Sequence, residues 1–95
     1  MEYNNSKGEK NDMIYIVIYQ FQNGYDSGVL VLGAYNTKEK AIERIATTKA
    51  DIKYNNSFDG NFDYDNEIDT PVDYCAYKEY DSNYERVYLV TKEIE

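Results

Sequence analysis

The chain has no histidine and no tryptophan, one proline and one cysteine in 95 residues. Without imidazole, the commonest general base and metal ligand is missing, and a Ser, Thr or Cys nucleophile has no histidine to activate it. Paired carboxylates remain, but acids are so plentiful here that adjacent pairs arise by chance and point to no glycosidase-like or metal-dependent chemistry. The lone Cys75 excludes an intramolecular disulfide and, set within a predicted strand, reads as a small packing residue rather than a reactive thiol. No apolar run approaches the roughly 20 residues that span a bilayer, and no basic segment followed by an apolar one opens the sequence as a secretory signal would. The expectation is a cytoplasmic protein that is not an enzyme, holds no cofactor or metal, and binds no membrane.

Positive charge is scarce in one half only. Residues 1 to 50 carry six acids and six bases, whereas residues 51 to 95 carry twelve acids and four bases, so the whole formal charge of -8 belongs to the second half. Such a region repels phosphates and anionic lipid and attracts basic protein surfaces. Direct nucleic-acid binding is therefore not expected, and another protein is the expected partner.

Residues 1–12 lack any period and hold one aromatic, which predicts a flexible tail; the structured domain is expected over 13–95, with Met13 a candidate start. Residues 13–21 and 29–35 are rich in β-branched and aromatic types and read as two strands joined through Asn23 and Gly24, a pair suited to a type I′ turn, with room for a longer loop through Gly28. A two-residue turn sets Ile18 opposite Val29 and Ile16 opposite Val31 on one face, and Val17 opposite Leu30 and Tyr15 opposite Leu32 on the other. Both faces of this hairpin are apolar. One must be covered by a helix and the other by more protein, from this chain or from a second copy in a homodimer through the first hairpin.

The helix begins at Asn36 or Thr37, where Asn36 and Glu39 match a capping box, and its apolar stripe is Ala41, Ile42, Ile45 and Ala46; it is expected to fade between Thr48 and Lys53. Residues 54–71 mix Asn, Asp and Gly and end at Pro71, the pattern of an acidic surface loop. Residues 72–80 and 84–94 resume strand character, with Val87 and Leu89 on one face and Tyr84, Tyr88 and Val90 on the other. The predicted fold class is α+β: an antiparallel sheet of about four strands in the order ββαββ, with one helix packed on one face.

The stretch from Ile14 to Ile45 carries Tyr15, Ile16 and Val17, then Gly33, Ala34 and Tyr35, then Thr37, Lys38, Glu39, Lys40 and Ala41. It resembles a class of small phage and Firmicute accessory proteins that open with a hairpin and enter a helix through a G-x-Y-S/T-x-x-E-K-A segment. The resemblance covers about a third of the chain and implies a phage or prophage accessory protein; it brings no active-site residues with it.

Two features of the second half are candidate sites. Asn55, Ser57, Asp59, Gly60, Asn61 and Asp63 fall at positions 1, 3, 5, 6, 7 and 9 of an EF-hand-like register, but the position that needs a bidentate glutamate is Asn66, and Glu67 comes one residue late, so the loop is read as acidic rather than calcium-binding. The other feature is the interleaving of tyrosines with carboxylates. Tyr74, Tyr77, Tyr80 and Tyr84 supply broad contact area at low entropic cost, and Asp59, Asp63, Asp65, Glu67, Asp69, Asp73, Glu79, Asp81 and Glu85 stand in for backbone phosphates. The reading is a non-enzymatic inhibitor, a nucleic-acid mimic that occupies the basic, nucleic-acid-binding surface of a host protein. If the resemblance holds, an anti-CRISPR or anti-restriction role against a host nuclease is implied. An oligomer that binds or sequesters a small molecule or nucleotide, and an acidic accessory protein without mimicry, are the alternatives.

Overall fold

A computed structural model of the chain describes residues 12–55, 64–78 and 83–94. Its elements are β1 (Asp12–Gln22), β2 (Ser27–Tyr35), α1 (Lys38–Asn55), β3 (Asn66–Thr70), β4 (Asp73–Tyr77) and β5 (Tyr84–Ile94). The fold is α+β as expected: one helix lies against one face of an open sheet in which every pairing is antiparallel, in the order β2-β1-β5-β4-β3. No helix among the described residues is long and apolar enough to cross a membrane. The expected tail lies outside the described residues except for Asp12, the first residue of β1.

The first hairpin closes through four residues, not two. Asn23 N–H donates to the Asp26 carbonyl at 3.0 Å, and the Asn23 carboxamide oxygen accepts from the N–H groups of Tyr25 and Asp26 at 3.0 and 2.7 Å. Gly24 supplies the positive φ of 88° that a side chain would resist. Gln22 therefore faces Ser27, and Ile18 faces Val31 where a two-residue turn would have set it against Val29. From Ser27 to Val31 this slip of two residues keeps each side chain on its own face, since the strand repeat is two. The pairing jumps between Val17 opposite Gly33 and Ile18 opposite Val31, which leaves Leu32 as the extra residue of a β-bulge.

Thr37 caps α1, its hydroxyl accepting from Lys40 N–H at 3.3 Å. The helix then continues to Asn55, past the β-branched stretch where it was expected to fade. Ala41, Ile45, Thr48 and Ile52 are buried along it while Ala46 is exposed. Ile52, 2% exposed, is the reason for the extra length: burial against the sheet outweighs weak local propensity. The core is completed by Val17 and Tyr19 from β1, Tyr74 and Ala76 from β4, and Val87 from β5.

The fifth strand corrects the reading of 54–71 as loop. Asn66–Thr70 pairs with β4 from Asn66 opposite Tyr77 to Thr70 opposite Asp73, turning through Pro71 and Val72. Its sequence, NEIDT, has one apolar residue and no alternation, because the strand is held at the sheet border by backbone pairing rather than by a buried face.

Candidate functional site

Period-two alternation divides the C-terminal half between two surfaces with different chemistry. On the helix side the carboxyl groups are engaged within the molecule. Glu85 is 1% exposed and accepts a hydrogen bond from the Tyr19 hydroxyl at 2.6 Å and from the Tyr64 hydroxyl at 2.7 Å. Tyr74 is buried in the core, where its hydroxyl donates to Glu67 Oε1 at 2.7 Å. Burial, then that bond and the negative charge of Glu67 and Asp69, push the Tyr74 phenol well above the usual tyrosine range. Lys49 reaches from α1 to Asp69 at 2.7 Å and, through hydrogen bond and charge, holds its carboxyl below the usual range; Lys53 stands 3.9 Å from Glu67. Both ammonium groups also lie over the Tyr74 ring, 5.8 and 6.0 Å from its centroid.

Among the described residues, no helix lies on the opposite face of the sheet. Rows across it read Val31, Ile18, Tyr88, Asp73; then Val29, Gln20, Arg86, Cys75, Ile68; then Ser27, Gln22, Tyr84, Tyr77. One end is apolar and β-branched, with Ile14, Ile16 and Val90 extending it. The other is polar and aromatic. Gln20 Nε2 donates to the Tyr84 oxygen at 2.9 Å while its carbonyl accepts from the Tyr88 hydroxyl at 3.4 Å. Arg86 forms a two-point pair with Asp73, at 2.9 Å from Nε and 2.7 Å from Nη2, which raises the Arg86 pKa further, and its guanidinium lies 4.1 Å from the Tyr88 ring centroid. A shallow depression of about 610 Å³, bordered by Gln22, Ile68, Cys75, Tyr77, Tyr84 and Arg86, opens on this face. Burial raises the Cys75 thiol pKa, which leaves it a weak nucleophile.

Of the residues assigned from sequence, Tyr77 and Tyr84 face each other across β4 and β5 on this open surface. Asp73 is there as well, but it is paired with Arg86. Asp65 is exposed beyond the start of β3, and Glu67 and Asp69 lie on the opposite face beside the helix lysines. Glu85 and Tyr74 are corrections: both are interior, because their positions share the face of Val87 and Ala76. Asp59, Asp63, Glu79, Tyr80 and Asp81 lie outside the described residues, as do Ser57, Gly60 and Asn61 of the calcium register; Asn55 ends α1 and Asn66 opens β3. No cluster of acidic or sulfur ligands with metal-binding geometry occurs among the described residues. The described carboxylates expected to stand in for phosphates are thus divided between the two faces of the sheet, with Asp69, Asp73 and Glu85 engaged within the molecule.

Gln20 and Arg86 were not singled out from sequence, since only the pairing of β1 with β5 brings them together. A signal was present: Gln20 and Gln22 interrupt the run of Ile14, Ile16 and Ile18 on one face of β1. Comparison with protein-family models, curated proteins and solved structures finds no match for this chain.

Proposed function

We propose that the chain is a non-enzymatic protein-binding inhibitor that grips its target with the tyrosine-rich end of its open sheet face, while its net charge steers it toward a basic surface such as that of a nucleic-acid-binding protein. The observation that carries this reading is the locked constellation of Gln20, Tyr84, Tyr88, Arg86 and Asp73. Side chains already fixed by hydrogen bonds lose little entropy on docking, and tyrosine and arginine are the residue types that dominate protein contacts. Charge acts over longer distances. A formal charge of -8 speeds encounter with a cationic partner even where individual carboxylates are paired.

This revises the mimicry expected from sequence: carboxylates at Asp69 and Asp73 already satisfied by Lys49 and Arg86 are poor substitutes for phosphates. Affinity capture from the natural host with the native chain, a Tyr77→Ala/Tyr84→Ala variant and an Asp65→Asn/Asp69→Asn variant tests it. The tyrosine variant is expected to lose the partner, and the aspartate variant to keep it with a slower association rate; captured partners should be displaced by DNA. The reverse pattern favours phosphate mimicry, and a small molecule released on denaturing the purified chain favours ligand binding in the depression beside Tyr84.

A further inference from the structure

The two borders of the sheet are built differently. β3 has five residues, carries Glu67 and Asp69, and runs into Pro71. Short length, charge and proline are the devices that keep a free strand edge from pairing with another chain. β2, at the other border, has nine residues, SGVLVLGAY, with neither a charge nor a proline. Val29, Leu30 and Val31 are 60, 47 and 67% exposed. Val29 and Val31 lie on the open face, opposite Gln20 and Ile18, and Leu30 lies on the helix face, opposite Tyr19, so this edge is apolar on both sides. The bulge at Leu32 leaves Ser27–Val31 as the regular stretch, and the exposed residues fall within it.

We propose that this edge pairs antiparallel with β2 of a second copy of the chain, joining two five-stranded sheets into one of ten strands. A twofold contact sets a surface against itself, so it must be self-complementary. Two copies that each carry a charge of -8 repel wherever their acids meet, and the uncharged β2 edge lets them touch without a like-charge pair across the junction. A basic partner recruited by charge finds none of it here, whereas an identical hydrophobic strand gains both backbone hydrogen bonds and cross-strand packing of Val29, Leu30 and Val31. The junction also merges the apolar ends of the two open faces, from Ile16 and Ile18 of one copy across both β2 strands. Tyr84 lies on β5, beyond β1, so the contact is independent of the target-binding reading.

Sedimentation across a concentration series tests the pairing. The native chain is expected to pass from monomer to dimer, and a Leu30→Lys/Val31→Lys variant to raise the dissociation constant by roughly tenfold or more, because cations then line both faces of the junction in each copy. Ile68→Lys, on the opposite border, should associate as the native chain does. Amides of residues 28–31 should exchange more slowly as concentration rises. A native chain that stays monomeric to about millimolar concentration, or a dimer indifferent to the double substitution, overturns the proposal. Val31→Lys alone gives the same test if circular dichroism shows that the double variant fails to fold.

Discussion

At the scale of single residues, Glu85 stands out as a carboxyl group buried in the core. A carboxyl group withdrawn from water is tolerated only when its oxygens are satisfied, and here two tyrosine hydroxyls do so, Tyr19 from β1 and Tyr64 from just before β3. Glu85→Ala removes the acceptor for both and opens space in the core, and should lower the unfolding free energy by about 2–4 kcal/mol in urea titration. Glu85→Gln, which keeps one acceptor oxygen, should cost less. The inward placement was legible in principle: Glu85 is two residues before Val87, and the strand repeat assigns both to one face. The acidity of the surrounding segment argues for an outward position instead, whereas Tyr77 and Tyr84, expected as surface contacts, do face the open side.

At the scale of elements, Tyr74 fastens three of them. Its ring belongs to β4, its hydroxyl donates to Glu67 of β3, and Lys49 and Lys53 of α1 lie above it. Because the folded chain holds this phenol protonated above the usual range, while the unfolded chain releases the proton near pH 10, the stabilisation is complete below about pH 10 and is lost as pH rises beyond it. Tyr74→Phe has no proton to lose, so it should show a smaller fall in stability between about pH 9 and pH 11 than the native chain, as measured by denaturant midpoints. Elements with a buried face were readable: both hairpins and the start of the helix follow from periodicity and capping. The end of α1 was not, because Ile52 is held by the sheet, and β3 was not, because a border strand made of NEIDT has no apolar alternation to read. Strand order was equally hidden, since nothing local to β1 announces β5 as its neighbour.

For the whole molecule, the excess of acid sets the response to salt. Self-repulsion at a charge of -8 opposes compaction, and the Lys49–Asp69 and Arg86–Asp73 pairs are partly exposed and return little individually. Raising sodium chloride from about 20 to 500 mM shortens the Debye length and should raise the melting temperature; a fall would mean that the ion pairs outweigh the repulsion. Charge was legible in the composition and fold class in the periodicity, but which acids are paired was not, because that depends on the strand register and on lysines brought by the helix. The order of strands has a further outcome for how the chain acquires its shape. β1 meets β2 across a four-residue turn, yet its other flank waits for β5, more than sixty residues downstream. During translation the first hairpin is therefore complete long before its second neighbour leaves the ribosome, and in that interval its apolar surfaces are exposed to chaperones and to other nascent chains. Closure of the sheet is a long-range event, the kind of pairing whose loop-closure entropy slows folding.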